Sequence, residues 1–228
     1  MVSRIGVLAG ALLSFACLPA HAGTVAEFDV LLREGVALWR TADPAGAIAR
    51  LQQAVARAPH GRERAKARLA LARALADAGR PRDGLAALGR IRSGSLPVVL
   101  AEVAAWERAR ALDLAKDRSA RKALVDFVAR FPSSSRVNAA RLAWARIARD
   151  AGDTAEVRVQ AAAVLKAKPS RLQRAEALLL DAKARPADAR DDALRRLFVE
   201  MPDTDAAAAT GLRESDLSGD ELDRRAQA

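Results

Sequence analysis

The chain has 228 residues, with 38 Lys plus Arg against 28 Asp plus Glu, one Cys and no Tyr. Apolar residues make up 51% and charged residues 29%, which excludes both a disordered polyampholyte and a membrane bundle. A single Cys excludes an internal disulfide and any zinc site built on paired cysteines.

Residues 1–22 read as a secretory signal peptide. Arg4 charges a short start, Ile5 to Leu18 is apolar, Pro19 ends any helix, and Ala20-His21-Ala22 fits small-x-small cleavage. The apolar stretch is shorter than the ~20 residues that cross a bilayer, which disfavours a membrane anchor. A lipoprotein would be acylated on Cys17, but Ser14-Phe15-Ala16 fits the recognition box for that reaction poorly. Cleavage after Ala22 removes Arg4 and the only Cys, leaving 37 Lys plus Arg against 28 acids. The expectation is export to a periplasm as a soluble protein held together by packing alone.

Beyond the leader, Thr24-Val25-Ala26-Glu27 has the form of a capping box at the start of a helix. Asp43-Pro44 then offers an N-cap followed by Pro in the first turn. Ala47, Leu51 and Ala54 precede Pro59 by 12, 8 and 5 residues. The same offsets place Ala120, Leu124 and Phe127 before Pro132, and Val157, Ala161 and Val164 before Pro169. They also place Arg190, Leu194 and Leu197 before Pro202. Spacing of four then three puts each trio on one helical face, and proline stops the helix there.

Pro59, Pro97, Pro132, Pro169 and Pro202 are separated by 38, 35, 37 and 33 residues, a period that signals a solenoid of helix pairs. Gly79-Arg80-Pro81 and Gly152-Asp153 mark breaks where one helix ends and the next begins. No strand-like alternation bounded by turn residues occurs in the mature chain. The pattern predicts about eleven helices in antiparallel pairs.

Gly35, Ala47, Leu51, Ala54 and Pro59 resemble the tetratricopeptide pattern of small and large residues. Gly84 takes the small position in the second unit and Arg190 replaces it in the last. This resemblance implies an all-α, right-handed solenoid of about five to six helix pairs across residues 23–228, its last repeat incomplete. Trp39, Trp106, Trp144, Phe127 and Phe198 are then expected as wedges between helices. A narrower resemblance rests on Leu194 to Pro202 and Leu217 to Ala226, which look like the N-terminal helical region of soluble lytic transglycosylases. Those enzymes cleave peptidoglycan with a separate C-terminal domain that this chain does not resemble anywhere. Glu214-Ser215 echoes their catalytic pair, but the Gly-Leu-Met-Gln segment expected downstream is missing, so catalysis is not carried onto Glu214.

Little else in the chain has the form of a reactive site. His60 is the only His after the leader, which leaves no histidine-based metal site and no supported Ser-His-Asp triad. No Gly-rich phosphate loop or Gly-x-Ser-x-Gly is present. The carboxylate pairs Asp191-Asp192 and Asp203 with Asp205 adjoin helix starts, where acids are favoured by the helix dipole. The expectation is therefore no catalytic, cofactor or metal residue.

In the resembling family, the first helix of each pair lines a concave groove. Projecting that onto this chain gives Arg40, Lys66, Arg73, Arg146, Arg149 and Lys183 as candidate binding residues. Trp39, Leu69 and Leu142 are expected beside them, with Asp77, Glu102, Asp113 and Asp150 on the same surface. The family's clamp for a C-terminal carboxylate needs Asn at set positions, and Asn138 is the only Asn here. Nucleic acid is not expected, because export and the absence of interleaved aromatic and basic residues both count against it. The expected partner is an envelope protein, a peptide or peptidoglycan. The alternatives are a superhelical module of a lytic transglycosylase system and a lipoprotein scaffold.

Overall fold

Alanine, leucine and arginine are strong helix formers, and their one-sided spacing leaves each helix an apolar strip that only a neighbour can cover. The computed structural model describes residues 24–91 and 96–228. The signal-peptide reading of residues 1–22 lies outside them. The described residues fold into α1 (Val25–Arg40), α2 (Pro44–Arg57), α3 (Gly61–Asp77), α4 (Pro81–Gly89), α5 (Val98–Leu114) and α6 (Ala120–Arg130). There follow α7 (Val137–Asp150), α8 (Thr154–Lys166), α9 (Arg171–Lys183), α10 (Ala187–Glu200), α11 (Asp205–Ala208) and α12 (Gly219–Gln227). No strand occurs among the described residues.

Each helix from α1 to α10 packs on the next, through turns short enough to fold it back antiparallel. The odd helices also meet one another, α1 with α3, α3 with α5, α5 with α7, α7 with α9 and α9 with α11. The even helices make no comparable contact until α12 folds onto α10. The array is therefore an all-α solenoid with the odd helices as its inner layer. The expected trios are its core: Ala47, Leu51, Ala54, Ala120, Leu124, Phe127, Val157, Ala161 and Val164 are all buried. Arg190 breaks the series by remaining exposed.

A backbone feature repeats more evenly than the prolines. Ala42, Gly79, Lys116 and Gly152 all have positive φ, between 53° and 76°, at spacings of 37, 37 and 36 residues. Each ends an odd helix in the same double hydrogen bond. Ala42 N–H donates to Trp39 C=O and Asp43 N–H to Leu38 C=O. The corresponding six-residue closures run from Arg80 to Leu75, Asp117 to Leu112 and Asp153 to Ala148. This is the Schellman ending, in which a left-handed residue turns the chain sharply enough to start the next helix.

Asp43 and Asp153 then cap α2 and α8, accepting from the N–H groups of Gly46 at 3.0 Å and Glu156 at 3.1 Å. Counted from the left-handed residue, Ala47, Gly84 and Val157 stand at one position, and Leu51, Leu88 and Ala161 at another. Pro97 falls outside that register. It is the N-cap of α5, because α4 ends early at Gly89 rather than at a proline.

Lys116 has φ 53°, a conformation that costs an L-residue roughly 1 kcal/mol or more and glycine almost nothing. Lys116→Gly is therefore expected to raise stability by about 1 kcal/mol, read as a higher urea midpoint at unchanged slope.

Gly84 shows the opposite constraint. A Cβ there would sit 2.8 Å from the Ala72 carbonyl oxygen, because α4 presses directly on the backbone of α3. Gly84→Ala is expected to cost about 1–3 kcal/mol despite its better helix propensity. Gly89→Ala, with nothing within 4 Å, is expected to be neutral or slightly stabilising. Equal melting temperatures for the two variants would refute the close approach.

Phe127 and Phe198 are fully enclosed, as wedge residues should be. The three tryptophans pack on the cores only partly and keep an exposed edge. At the C-terminal end, α12 buries none of its residues and is held by arginines. Arg225 lies 3.8 Å over the Phe198 ring and donates to the Phe198 carbonyl, and Arg195 pairs with Glu221 at 3.5 Å. Glu214 is 71% exposed in a 3-10 turn and faces Arg225 at 3.4 Å.

Candidate inner-face site

The turn register carries through to the inner face. Arg73, Arg110 and Arg146 stand at the same distance before the left-handed turns on α3, α5 and α7, 37 and 36 residues apart. Each reaches back one helix pair. Arg73 lies 4.4 Å over the Trp39 ring of α1, Arg110 pairs with Asp77 of α3, and Arg146 lies 3.8 Å from Asp113 of α5. Two of them also reach forward: Arg73 is 4.0 Å from Glu107 of α5, and Arg146 pairs with Glu176 of α9. Trp39 Nε1 donates to Asp77 at 2.9 Å, which closes the N-terminal part of the chain of contacts.

Glu107 is the enclosed member of this ladder, 4% exposed, with Arg110 at 3.8 Å and Arg73 at 4.0 Å. Burial pushes its carboxyl above the usual range; the Arg73 and Arg110 charges pull it back, and Asp77 adds to the rise.

The candidate residues sort into three groups. Arg73 and Arg146 are in the ladder, neutralised by acids of this chain. Arg149 pairs with its neighbour Asp150 at 2.8 Å. Arg40, Lys66 and Lys183 have no carboxylate within 4.0 Å among the described residues; Arg40 and Lys183 end α1 and α9, and Lys66 lies two turns before Arg73 on α3.

Three placements differ from the expectation. Leu69 does not line the groove but is buried with Ala72 and Leu88 between α3, α4 and α5; it shares a face with Arg73, but Leu100, Val103 and Ala104 of α5 pack over that cluster, beyond which only the longer arginine reaches. Leu142 is 2% exposed and reaches the inner face only as part of a pocket wall. Glu102 ties down the α6–α7 turn, accepting from Ser134 Oγ at 2.7 Å and pairing with Arg136 at 3.0 Å. Arg110, Glu107 and Glu176 were missed. The 37- and 36-residue steps from Arg73 through Arg110 to Arg146 were the available signal.

Between α5, α7 and α9 the ladder opens into a pocket of about 250 Å³. Trp106, Leu114 and Leu142 supply apolar walls, and Arg110, Arg146 and Glu176 a charged rim. Such a pocket can bury an apolar side chain while the rim offers donors and acceptors to a backbone. Asp203, one of the carboxylates assigned to a helix start, pairs with Arg171 at 2.8 Å, which holds its carboxyl below the usual range. Among the described residues, no three His, Cys, Asp or Glu side chains gather as a metal group, and no helix is long and apolar enough to cross a membrane.

Residues 38–93 match the family model described as tetratricopeptide repeat, a stretch that contains α2, α3 and α4 whole. A search of curated proteins found no match. A repeat of this type points to a protein-binding role. With the matched segment continued by the same helix-pair unit through α10, the chain is a tetratricopeptide-like helical-repeat protein.

Proposed function

We propose that this is an exported, non-catalytic helical-repeat protein that binds an extended segment of an envelope protein along its odd-helix face. The observation that carries the reading is the ladder of Arg73, Arg110 and Arg146, which presents one side-chain type in register on three successive units. A repeated surface of this kind suits a partner that is itself extended, and the pocket beside Leu114 gives one of its side chains a place to bury. The ladder's charges are largely balanced within the chain, so shape and hydrogen bonding, more than net charge, select the partner. Export rests on the leader of residues 1–22, with cleavage after Ala22 and periplasmic residence as its consequence.

The test is site-specific photocrosslinking in cells. A crosslinking amino acid in place of Leu114, which is 46% exposed beside the pocket, is expected to capture a protein partner. The same residue in place of Val159, 59% exposed on α8, is expected to capture none. Adducts from α8 alone would move the binding face to the outer layer. Capture of glycan instead of protein would point to a peptidoglycan strand as ligand. Release of muropeptides from purified sacculi by the chain alone would overturn the non-catalytic reading.

A further inference from the structure

At the other end of α3 from the ladder, three arginines gather without an acid. Arg64 and Arg68 on α3 and Arg90 at the end of α4 line a cleft of about 500 Å³ with Gly61, Ile91 and Leu96. No carboxylate of the described residues lies within 4.0 Å of any of the three, whereas the arginines of the inner ladder are paired. Glu63 sits on the strip of α3 that carries Ala67 into the α1–α2 core, one face away from the cleft.

Two of the three side chains, Arg64 and Arg68, are held in place by backbone carbonyls rather than by counter-charges. Arg64 donates to Ala58 C=O at 3.1 Å, and Arg68 donates to the carbonyl of Arg90. Arg68 Nε is buried with no acceptor. Burial, with the charges of Arg64 and Arg90, holds the Arg68 guanidinium below its usual value. A second feature points the same way. The N-cap of α3, His60, makes no side-chain bond to the first turn, and Gly61, the first residue of that turn, lines the cleft. α4, α5, α6, α7 and α10 also lack such a bond, so what sets the α3 start apart is the three arginines beside it.

An unpaired guanidinium trio, a buried donor without an acceptor and an uncapped seventeen-residue helix start are complementary to one kind of ligand. We propose that Arg64, Arg68 and Arg90, with the N-terminus of α3, bind a phosphate group carrying two or more negative charges, as in a phosphate monoester or a pyrophosphate. Planar guanidinium forks match phosphate oxygens in pairs, and three of them offset more than one charge. The site is separate from the inner face, so its failure would leave the protein-binding reading untouched.

Isothermal titration of the purified chain with sodium pyrophosphate at low ionic strength is the test. Saturable binding of one pyrophosphate per chain is expected, competed by inorganic phosphate and not by chloride. Arg90→Gln, which keeps the carbonyl that holds Arg68, is expected to weaken binding about tenfold or more. Arg33→Gln on α1 removes the same charge far from the cleft and is expected to leave it unchanged. Thermal melts verify that each variant is folded; Arg64→Gln provides a second test within the cleft. Unsaturable heats, or equal weakening by Arg33→Gln, would overturn the site. So would silence towards pyrophosphate alongside binding to phosphatidylglycerol vesicles, since the attraction would then be to a lipid surface.

Discussion

Phe127→Ala is expected to cost about 3–5 kcal/mol and to separate the unfolding of the two halves of the solenoid. Phe127 is 1% exposed on α6, with the Trp106 ring 5.6 Å away on α5 and Phe131 at 5.5 Å. The same cluster takes in Ala109 from α5 and Ala140 and Ala143 from α7, so one ring joins three successive helices. Truncation to Ala leaves a cavity that small alanines on either side cannot fill by repacking.

A solenoid's stability is close to a sum of unit and interface contributions, because each unit touches only its neighbours. The damage is therefore local. The N-terminal units keep Ile48, Leu51, Leu71 and Leu75, and the C-terminal units keep Leu142, Val157, Val164 and Leu180. Urea unfolding followed by tryptophan fluorescence reads both sides, since Trp39 lies in the first unit and Trp144 on α7. The parent chain is expected to unfold in one transition and the variant in two, with a lower first midpoint. A single transition at the parent midpoint would show that the α5–α6–α7 junction does not couple the halves.

The core was the most legible part of the sequence. Ala47, Leu51 and Ala54 before Pro59 announce a buried face because burial leaves a regular mark on residue type. The turns were half legible. Gly79 and Gly152 advertise a left-handed residue, but Ala42 and Lys116 adopt the same φ with side chains that give no sign of it. The prolines, among which Pro97 is a helix N-cap, therefore mark the repeat less evenly than the left-handed turn residues, two of which carry no sign in the sequence.

Without the turn register, nothing marks Arg110 out from the other arginines, and spacing alone does not show that α4 and α5 pack over Leu69 while Arg73 on the same face stays free. The ion pairs themselves could not be read at all. Arg146 meets Glu176 thirty residues away, and only the packing of α7 against α9 across the intervening helix brings them together. The Arg64, Arg68 and Arg90 cleft was invisible for the same reason, since Arg90 joins it from the next helix.

Arg110→Ala should cost about 2–3 kcal/mol, whereas Glu107→Gln should cost nothing at neutral pH. Arg110 is the shared partner of Asp77 and Glu107, and its loss leaves the enclosed Glu107 and the part-exposed Asp77 beside it without that charge. Removing one member of a buried pair strands the other charge, at about 3–5 kcal/mol when burial is complete. Arg110 is 30% exposed and Asp77 29%, which places the effect towards the lower end. Glu107 behaves differently because burial is the largest influence on it and raises its pKa above the usual 4.5. Its protonated form is thus the better fit to the fold. The stability it contributes is fully present below its unfolded pKa and is lost as pH rises through the raised folded value. Glu107→Gln imitates the protonated form at every pH, so it should match or exceed the parent at neutral pH and lack that step.

Melting temperatures of the parent, both single variants and the double variant, taken across the acid range and at neutral pH, measure these terms. The double variant should recover part of the Arg110→Ala loss, because only Asp77, still accepting from Trp39 Nε1, then lacks its arginine. A Glu107→Gln variant as unstable at neutral pH as Arg110→Ala would mean that the charge of Glu107, and not its shape, holds α3 and α5 together. Under the expected outcome the ladder has an unequal construction: the arginines fix the spacing of the odd helices, and the acids neutralise them. A partner's carboxylate is then accommodated at the rim by exchanging with Glu176 on Arg146, while Asp77 and the enclosed Glu107 keep Arg110 in place.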